Sequence, residues 1–250
     1  MTQAKHLRAI LFDVDGTIAE TEQAHRSAFN QAFREFGILW HWDDELYSEL
    51  LSVTGGKERI AYFVDAYDAV PKLSPGDIVA LHARKTEIFT SEVATGAISL
   101  RPGVGRLWAA ATSAGIGLGI ATTTSRSNVA ALLGAALGER WAESFAVIAA
   151  GDVVEQKKPA PDIYLLALER LGIDASEVIA IEDSQGGLGS SLGAGIKTLI
   201  TPSSYTFAQD FSGASAVVDS LGDLGEPTKV IAGPPLCDAV VDIEYLQALF

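Results

Sequence analysis

The chain has 250 residues, 48% of them hydrophobic, enough for one large domain or for a core domain carrying a smaller insertion. Its formal net charge of -14, from 32 acidic against 18 basic side chains, argues against general binding to nucleic acid or to an anionic membrane surface, because both need clustered Lys and Arg. With Cys237 as its one cysteine the chain can form no intrachain disulfide, and no N-terminal apolar run matches a signal peptide or a membrane span, so the expected setting is the reducing cytoplasm and the expected state a monomer.

The first predicted element is an apolar strand over Ala9 to Phe12 that runs out on Asp13-Val14-Asp15-Gly16-Thr17. Ligands of open parallel sheets bind outside the carboxyl ends of the strands, which would place Asp13 and Asp15 for chemistry. An Asp-Gly pair is also a common solvated turn, and these residues alone leave both readings open. Thr21 to Phe36 then sets Ala24, Ala28, Ala32 and Phe36 at helical spacing, with Phe29 and Phe33 on the same face. Three more helices are predicted at Glu45 to Leu51, Lys57 to Ala66 and Ile78 to Val93, separated by turn signals at Gly55-Gly56 and Ser74-Pro75-Gly76. A block of helices directly after a first strand reads as an insertion.

Past Arg101-Pro102-Gly103 the chain alternates. A helix over Val104 to Ser113 precedes strand Gly117 to Ala121, helix Asn128 to Leu137, strand Ala146 to Ala149 and helix Pro161 to Leu171. Strand Val178 to Ile181, helix Gly186 to Ala194 and strand Lys197 to Ile200 follow. Such alternation implies right-handed crossovers and an α/β fold, a doubly wound parallel sheet with helices on both faces. The first strand joins that sheet. The expected organisation is an α/β core of residues 1–19 and 97–250 interrupted by an all-helical domain of residues 20–96. Towards the end, Ala216 to Asp219 reads as a short strand, Gly222 to Pro235 as loop, and Ile243 to Phe250 as a short helix.

Each strand of such a sheet should deliver its last residues to one crevice. Thr122-Thr123-Thr124-Ser125 offers hydroxyls and backbone amides at a helix start, suited to an anion, although Ser and Thr there also serve as ordinary caps. Lys157 and Lys158 stand just before a proline-stiffened helix start, and a solvated lysine pair is the alternative. Glu182-Asp183 is a second acidic pair, followed by Gly186-Gly187. Four acids in one crevice repel one another unless a divalent cation sits among them. Hard oxygen ligands without a His or Cys cluster favour magnesium completed by a substrate phosphate, the arrangement of phosphoryl transfer.

These four segments resemble the motifs of the haloacid dehalogenase superfamily in order and spacing: Asp-x-Asp-Gly-Thr at Asp13 to Thr17, Thr122, Lys158 before proline, and Glu182-Asp183. The resemblance implies a Rossmann-like core with an inserted helical cap, and a phosphatase in which Asp13 is the nucleophile that forms an aspartyl-phosphate and Asp15 the acid and base. Thr122 and Lys158 would bind the phosphoryl group, and Mg2+ would be held by Asp13, the Asp15 carbonyl, Asp183 and Glu182. Dehalogenating members lack the second Asp.

A narrower resemblance, to the CbbY group of sugar-phosphate phosphatases related to beta-phosphoglucomutase, rests on Glu20-Thr21-Glu22, His25-Arg26, Thr54 to Ile60, Lys158 to Tyr164 and Glu182 to Gln185. It implies a phosphorylated sugar as substrate, such as xylulose 1,5-bisphosphate, with Glu22, His25, Tyr47, Lys57, Arg59, Lys85 and Thr123 as candidate contacts. Glu22 with His25 could instead be an exposed polar pair, and Lys57 and Arg59 plain surface charges. Gly55-Gly56 before a helix would let backbone amides approach a ligand. A sugar phosphomutase is the alternative, and a catalytically silent sensor of a phosphorylated metabolite a more distant one. Cap closure is expected about hinges near Ala19 to Glu20 and Leu100 to Gly103.

Overall fold

The computed structural model describes residues 6–250. Among them, β1 (Ala9–Phe12), β2 (Gly117–Thr122), β3 (Val147–Ala150), β4 (Val178–Glu182), β5 (Lys197–Ile200), β6 (Ala216–Val218) and β7 (Val230–Ala232) form one sheet in the order β3-β2-β1-β4-β5-β6-β7. Every pair is parallel except β6 with β7. The α/β class expected from the sequence is the one observed.

Because side chains alternate across a strand, β1 feeds two cores. Ile10 and Phe12 belong to the buried cluster built with α5 (Val104–Ser113), α6 (Arg126–Leu137) and α9 (Ile243–Ala248), through Leu107, Trp108, Val129, Leu132 and Leu246. Ala9 and Leu11 belong to the opposite cluster, with Ile163, Tyr164 and Ala167 of α7 (Asp162–Leu171). Burial on both faces is why β1 is apolar throughout. On the β5 and β6 side, Leu188 of α8 (Gln185–Gly193) packs with Ile200 and Val217. The strand order reverses beside β1, with β2 and β3 on one side and β4 to β6 on the other. A crevice therefore opens at the carboxyl ends of β1 and β4.

Four helices lie between β1 and α5: α1 (Glu22–Glu35), α2 (Asp44–Leu50), α3 (Gly56–Ala66) and α4 (Pro75–Val93). The apolar stripe of α1, with Ala28, Phe29, Ala32 and Phe33 buried, lies along α4, where Leu81, Ile88 and Phe89 are buried. Trp42 closes this bundle, its ring 4.7 Å from Phe29, 4.9 Å from Phe33 and 5.4 Å from Phe63. The two strands of chain that connect the helices to the sheet pair with each other, Ala19 bridging Leu100 and the Arg101 N–H donating to Ile18 O at 2.8 Å.

Two expectations need correction, and two short turns have no signal in the sequence. Ser74-Pro75-Gly76 is not a turn before a later helix but the start of α4 itself, because the Ser74 and Asp77 side chains cap each other's backbone N–H groups and Pro75 fits the first helical turn. Gly222 to Pro235 is not all loop, since Val230–Ala232 adds an antiparallel edge strand to β6. Short 3-10 turns at Trp141–Ser144 and Ala175–Glu177, which no periodicity marks, lead into β3 and β4. No helix among the described residues is long and apolar enough to cross a membrane.

Asn30, buried in α1, donates from Nδ2 to Trp42 O at 2.7 Å and accepts the Trp42 N–H at 2.8 Å, so one amide fixes the loop that delivers the bundle's central ring. Asn30→Ala leaves both Trp42 backbone groups unpaired in an apolar setting and is expected to cost about 3 kcal/mol in chemical denaturation. A loss below about 0.5 kcal/mol, the range of an ordinary surface change, would contradict this reading.

Candidate active site

At the end of β1 the chain turns sharply: the Gly16 N–H donates to Ala19 O at 2.8 Å and the Ile18 N–H to Val14 O at 2.9 Å. Gly16 adopts φ +79°, and a Cβ there would stand 2.2 Å from Asp183 Oδ2, so the turn needs glycine for its conformation and for the carboxylate packed against it. Asp13 and Asp183 are thereby brought together from β1 and β4.

Lys158, 6% exposed, joins three strand ends with one ammonium. It donates to Asp13 Oδ1 at 2.6 Å, to Glu182 Oε1 at 2.6 Å and to the Ala121 carbonyl of β2 at 2.9 Å. Tyr164 donates its hydroxyl to the same Glu182 Oε1 at 2.6 Å. Glu182 is fully buried, and its Oε2 has no hydrogen-bond partner. Thr206 Oγ1 donates to Asp183 Oδ2 at 3.2 Å.

The charges do not cancel. Burial pushes the Asp13 carboxyl up to about 7, against the pull of Lys158 and with a further push from Glu182. Asp183 is also held well above the usual carboxylate range, by burial and then by Asp13 and Glu182. Burial disfavours the Lys158 ammonium, but Asp13 and Glu182 outweigh it and raise its pKa. Asp13, Glu182 and Asp183 each offer an oxygen within 4.8 Å of the others. Three hard donors, one oxygen lacking a partner and negative charge that one lysine leaves uncompensated fit a divalent cation.

Asp15 differs. Its Oδ1 accepts from Thr21 Oγ1 at 2.6 Å and lies 3.1 Å from His25 Nε2. Against the burial that would raise it, the neighbouring His25 and the hydrogen bonds from His25 and Thr21 hold its carboxyl below the usual range. His25 Nδ1 lies 2.6 Å from Lys85 Nζ and its ring stacks on Phe89 at 3.8 Å, so Asp15 is tied through His25 to α4. Burial pushes the Lys85 ammonium down to about 7, opposed by Asp15 and Glu22.

These groups face a cavity of about 860 Å³ between the sheet's carboxyl edge and helices α1, α3 and α4. Asp13, Asp15, Glu22, His25, Gly55, Gly56, Lys57, Arg59, Lys85, Thr122, Thr123, Lys158 and Asp183 all line it. Two residues singled out in the sequence stand off its wall. Tyr47 is fully buried, donating to Glu22 Oε2 at 2.7 Å and accepting from Arg59 Nη1 at 3.1 Å, so it orients two lining side chains. Glu182 lies behind Lys158.

Several lining residues went unmarked in the sequence. His82 stands one turn before Lys85 on α4, and burial and the nearby Lys85 and Lys57 push its imidazole down to about 4. Asp152 joins the crevice mouth, holding Lys57 at 2.7 Å and Lys157 at 2.9 Å, while Lys157 also reaches Glu58 at 2.9 Å. Thr206 and Gln209 come from an irregular loop with no pattern to announce them. The spacing of His82 and Lys85 on one helix face is the one signal that was readable.

A family model described as haloacid dehalogenase-like hydrolase matches residues 7–195. Protein CbbY of Cereibacter sphaeroides is 50% identical over 219 residues, covering 88% of this chain and 94% of that protein. Crystal structures of CbbY from Rhodobacter sphaeroides in complex with phosphate (50% identity) and of a mutant of it in complex with xylulose-(1,5)bisphosphate (49%) superpose with a TM-score of 0.83, each covering 88% of this chain and 96% of the other. A beta-phosphoglucomutase from Clostridium difficile shares the fold at 22% identity and a TM-score of 0.71, covering 86% of this chain and 91% of the other.

Two outcomes follow from the packing and charge of the site. A Cβ on Gly187 would lie 1.9 Å from Glu182 Oε2, so Gly187→Ala must displace the carboxylate that holds Lys158. A shift of that size is expected to lower kcat about 100-fold in a steady-state assay, and an unchanged kcat would contradict the packing. A raised carboxyl binds its proton more tightly folded than unfolded, so Asp13 costs stability progressively from about pH 4, its unfolded value, to about 7. In chelator-treated protein the thermal midpoint of Asp13→Asn should therefore rise relative to wild type between pH 5 and 8, and added divalent cation should stabilise wild type more at the higher pH. A gap independent of pH would contradict both.

Proposed function

The chain belongs to the haloacid dehalogenase-like hydrolase family and is a phosphatase of it, and on that premise we propose that it removes phosphate from a sugar bisphosphate of the xylulose 1,5-bisphosphate type. The observation that carries the chemistry is Asp13 held by Lys158 at 2.6 Å at the floor of the cavity, with Asp15 on the next turn. The substrate class rests on the likeness to CbbY, whose mutant was crystallised with that sugar, and on the cations that line the upper cavity, Lys57, Arg59 and Lys85. A second anionic group needs such partners, in a protein that is otherwise strongly acidic. With its single cysteine, the cytoplasm is the compartment we assign.

In the proposed reaction an Asp13 oxygen attacks the phosphorus in line, the bond from phosphorus to the sugar oxygen breaks, and Asp15 gives its proton to that oxygen. Asp15, now a carboxylate, takes a proton from water as the water oxygen attacks the phosphorus of the aspartyl-phosphate. Inorganic phosphate leaves and Asp13 is restored. Thr21 Oγ1 at 2.6 Å and His25 Nε2 at 3.1 Å fix the Asp15 carboxyl in the position from which it makes both proton transfers. Lys158 aligns Asp13 and spreads the charge of the phosphoryl oxygens, and Thr122 with the amides of the following residues cradles them at the start of α6. Asp13, Asp183, the Asp15 carbonyl and the Glu182 carboxylate would hold Mg2+, which when bound neutralises charge on the transferring group. The cavity wall formed by α1, α3 and α4 excludes bulk water from Asp13.

The test is release of inorganic phosphate from xylulose 1,5-bisphosphate and from β-glucose 1-phosphate, with magnesium chloride, for wild type and Asp13→Asn. Rapid release from the bisphosphate by wild type, and loss by at least about 10³-fold in the variant, is expected. Isomerisation of the glucose ester without net release would identify a mutase, and no release from any sugar phosphate would sink the hydrolase reading.

A further inference from the structure

Arg101 has no role in the chemistry above, yet its guanidinium touches several segments that carry site residues. It stands where the helical insertion rejoins the sheet, on the stretch paired with Ile18 and Ala19, and its side chain is 9% exposed. Nη1 donates to the Gly16 carbonyl, to Thr201 O at 2.7 Å and to Thr201 Oγ1 at 3.0 Å. Nη2 donates to Pro202 O at 2.8 Å and to Asp219 O at 3.4 Å, and Nε faces Glu20 Oε1 at 3.3 Å. Nη1 and Nη2 donate to four backbone carbonyls that no other side-chain donor among the described residues reaches, and Nε forms an ion pair with Glu20.

The Gly16, Thr201 and Pro202 acceptors lead to site groups. Gly16 O follows directly on the Asp15 carbonyl, within the turn that carries Asp15. Glu20 and the Ile18 carbonyl lie on the other connection to the helical insertion. Thr201 donates its N–H to Glu182 O at 2.7 Å, and the loop from Pro202 brings Ser203 and Thr206, joined at 2.8 Å, to Asp183 Oδ2. A planar fork of fixed geometry thus spans the Asp15 turn, both connections and the loop that orients Asp183, a span a point charge cannot cover.

We propose that Arg101 is a positioning residue for phosphoryl transfer, locking the Asp15–Gly16 turn and the Asp183-bearing loop to the hinge of the helical insertion. The inference rests on the aspartate-nucleophile reading, and the experiment separates the two failures. Glu20, on the opposite connection, shares the contact, but the carbonyl acceptors define the role.

Hydrolysis of p-nitrophenyl phosphate with magnesium chloride is compared for wild type, Arg101→Gln and Arg101→Lys, beside amide hydrogen exchange of the same proteins. Arg101→Gln is expected to lower kcat about 100-fold with KM within about threefold, a split that displaced reacting groups produce and a lost binding contact does not. Arg101→Lys should recover no more than about a tenth of wild-type kcat, because one ammonium cannot reach both Gly16 O and Pro202 O. Exchange should quicken in peptides spanning residues 14–20 and 200–206, with β2 and β4 protected as in wild type. Full kcat in either variant overturns the proposal, as does uniformly faster exchange through the sheet, which marks general destabilisation. If Arg101→Gln does not fold, Arg101→Lys carries both readouts. A wild type inert towards every phosphate ester would instead remove the nucleophile reading beneath it.

Discussion

One buried ammonium group shared among buried carboxylates is the constraint on which the rest of this protein depends. Lys158 binds Asp13 and Glu182 at 2.6 Å each, with Asp183 alongside, in a place from which water is excluded. Removing ions from water costs several kcal/mol apiece, and a single lysine does not offset three acids. The fold tolerates this because parallel strands converge at one edge, and because glycine stands wherever a Cβ would enter the cluster, at Gly16 and Gly187. Tyr164 supplies Glu182 with a donor that carries no further charge. The arrangement is stored electrostatic tension that a divalent cation would relieve, and that is the physical content of the proposed chemistry.

What the sequence discloses follows from range. Asp13, Thr122 and Glu182 could be placed because each ends an apolar run whose direction local pattern determines, and the alternation of strands and helices then orders those ends along one edge. The doubly wound sheet was legible for the same reason. β7 was not, because Val230–Ala232 is three residues long, two of them exposed, and its pairing is set by β6 rather than by any pattern of its own. Ser74-Pro75-Gly76 misled because Pro and Gly punctuate turns as often as they open helices, and only the reciprocal bond with Asp77 decides between the two. Tyr47 is the clearest limit: its residue type suited a sugar contact, but the aromatic packing around Trp42 takes its ring and Glu22 its hydroxyl. Asp152 acts through Lys57, 95 residues away, and Arg101 through carbonyls 85 to 118 residues away, and composition carries no trace of such pairings.

The two sides of the crevice are built differently. On the mouth side, Lys57, Glu58, Asp152 and Lys157 form exposed or half-exposed ion pairs, each worth little in water and readily exchanged for other anions. On the far side the two connections are paired backbone to backbone and held by the Arg101 guanidinium. Lys85 and His25 run from α4 to Asp15, so the helical wall of the cavity is linked directly to that carboxylate.

The central claim is that Asp13 becomes phosphorylated during turnover, and borohydride reduction of the enzyme during steady-state hydrolysis tests it most directly. An acyl phosphate is reduced to the alcohol, so peptide mass spectrometry should find homoserine in place of Asp13 and intact Asp15 and Asp183. Recovery of unmodified Asp13 from enzyme that is releasing phosphate, or reduction at another carboxylate, would contradict the account.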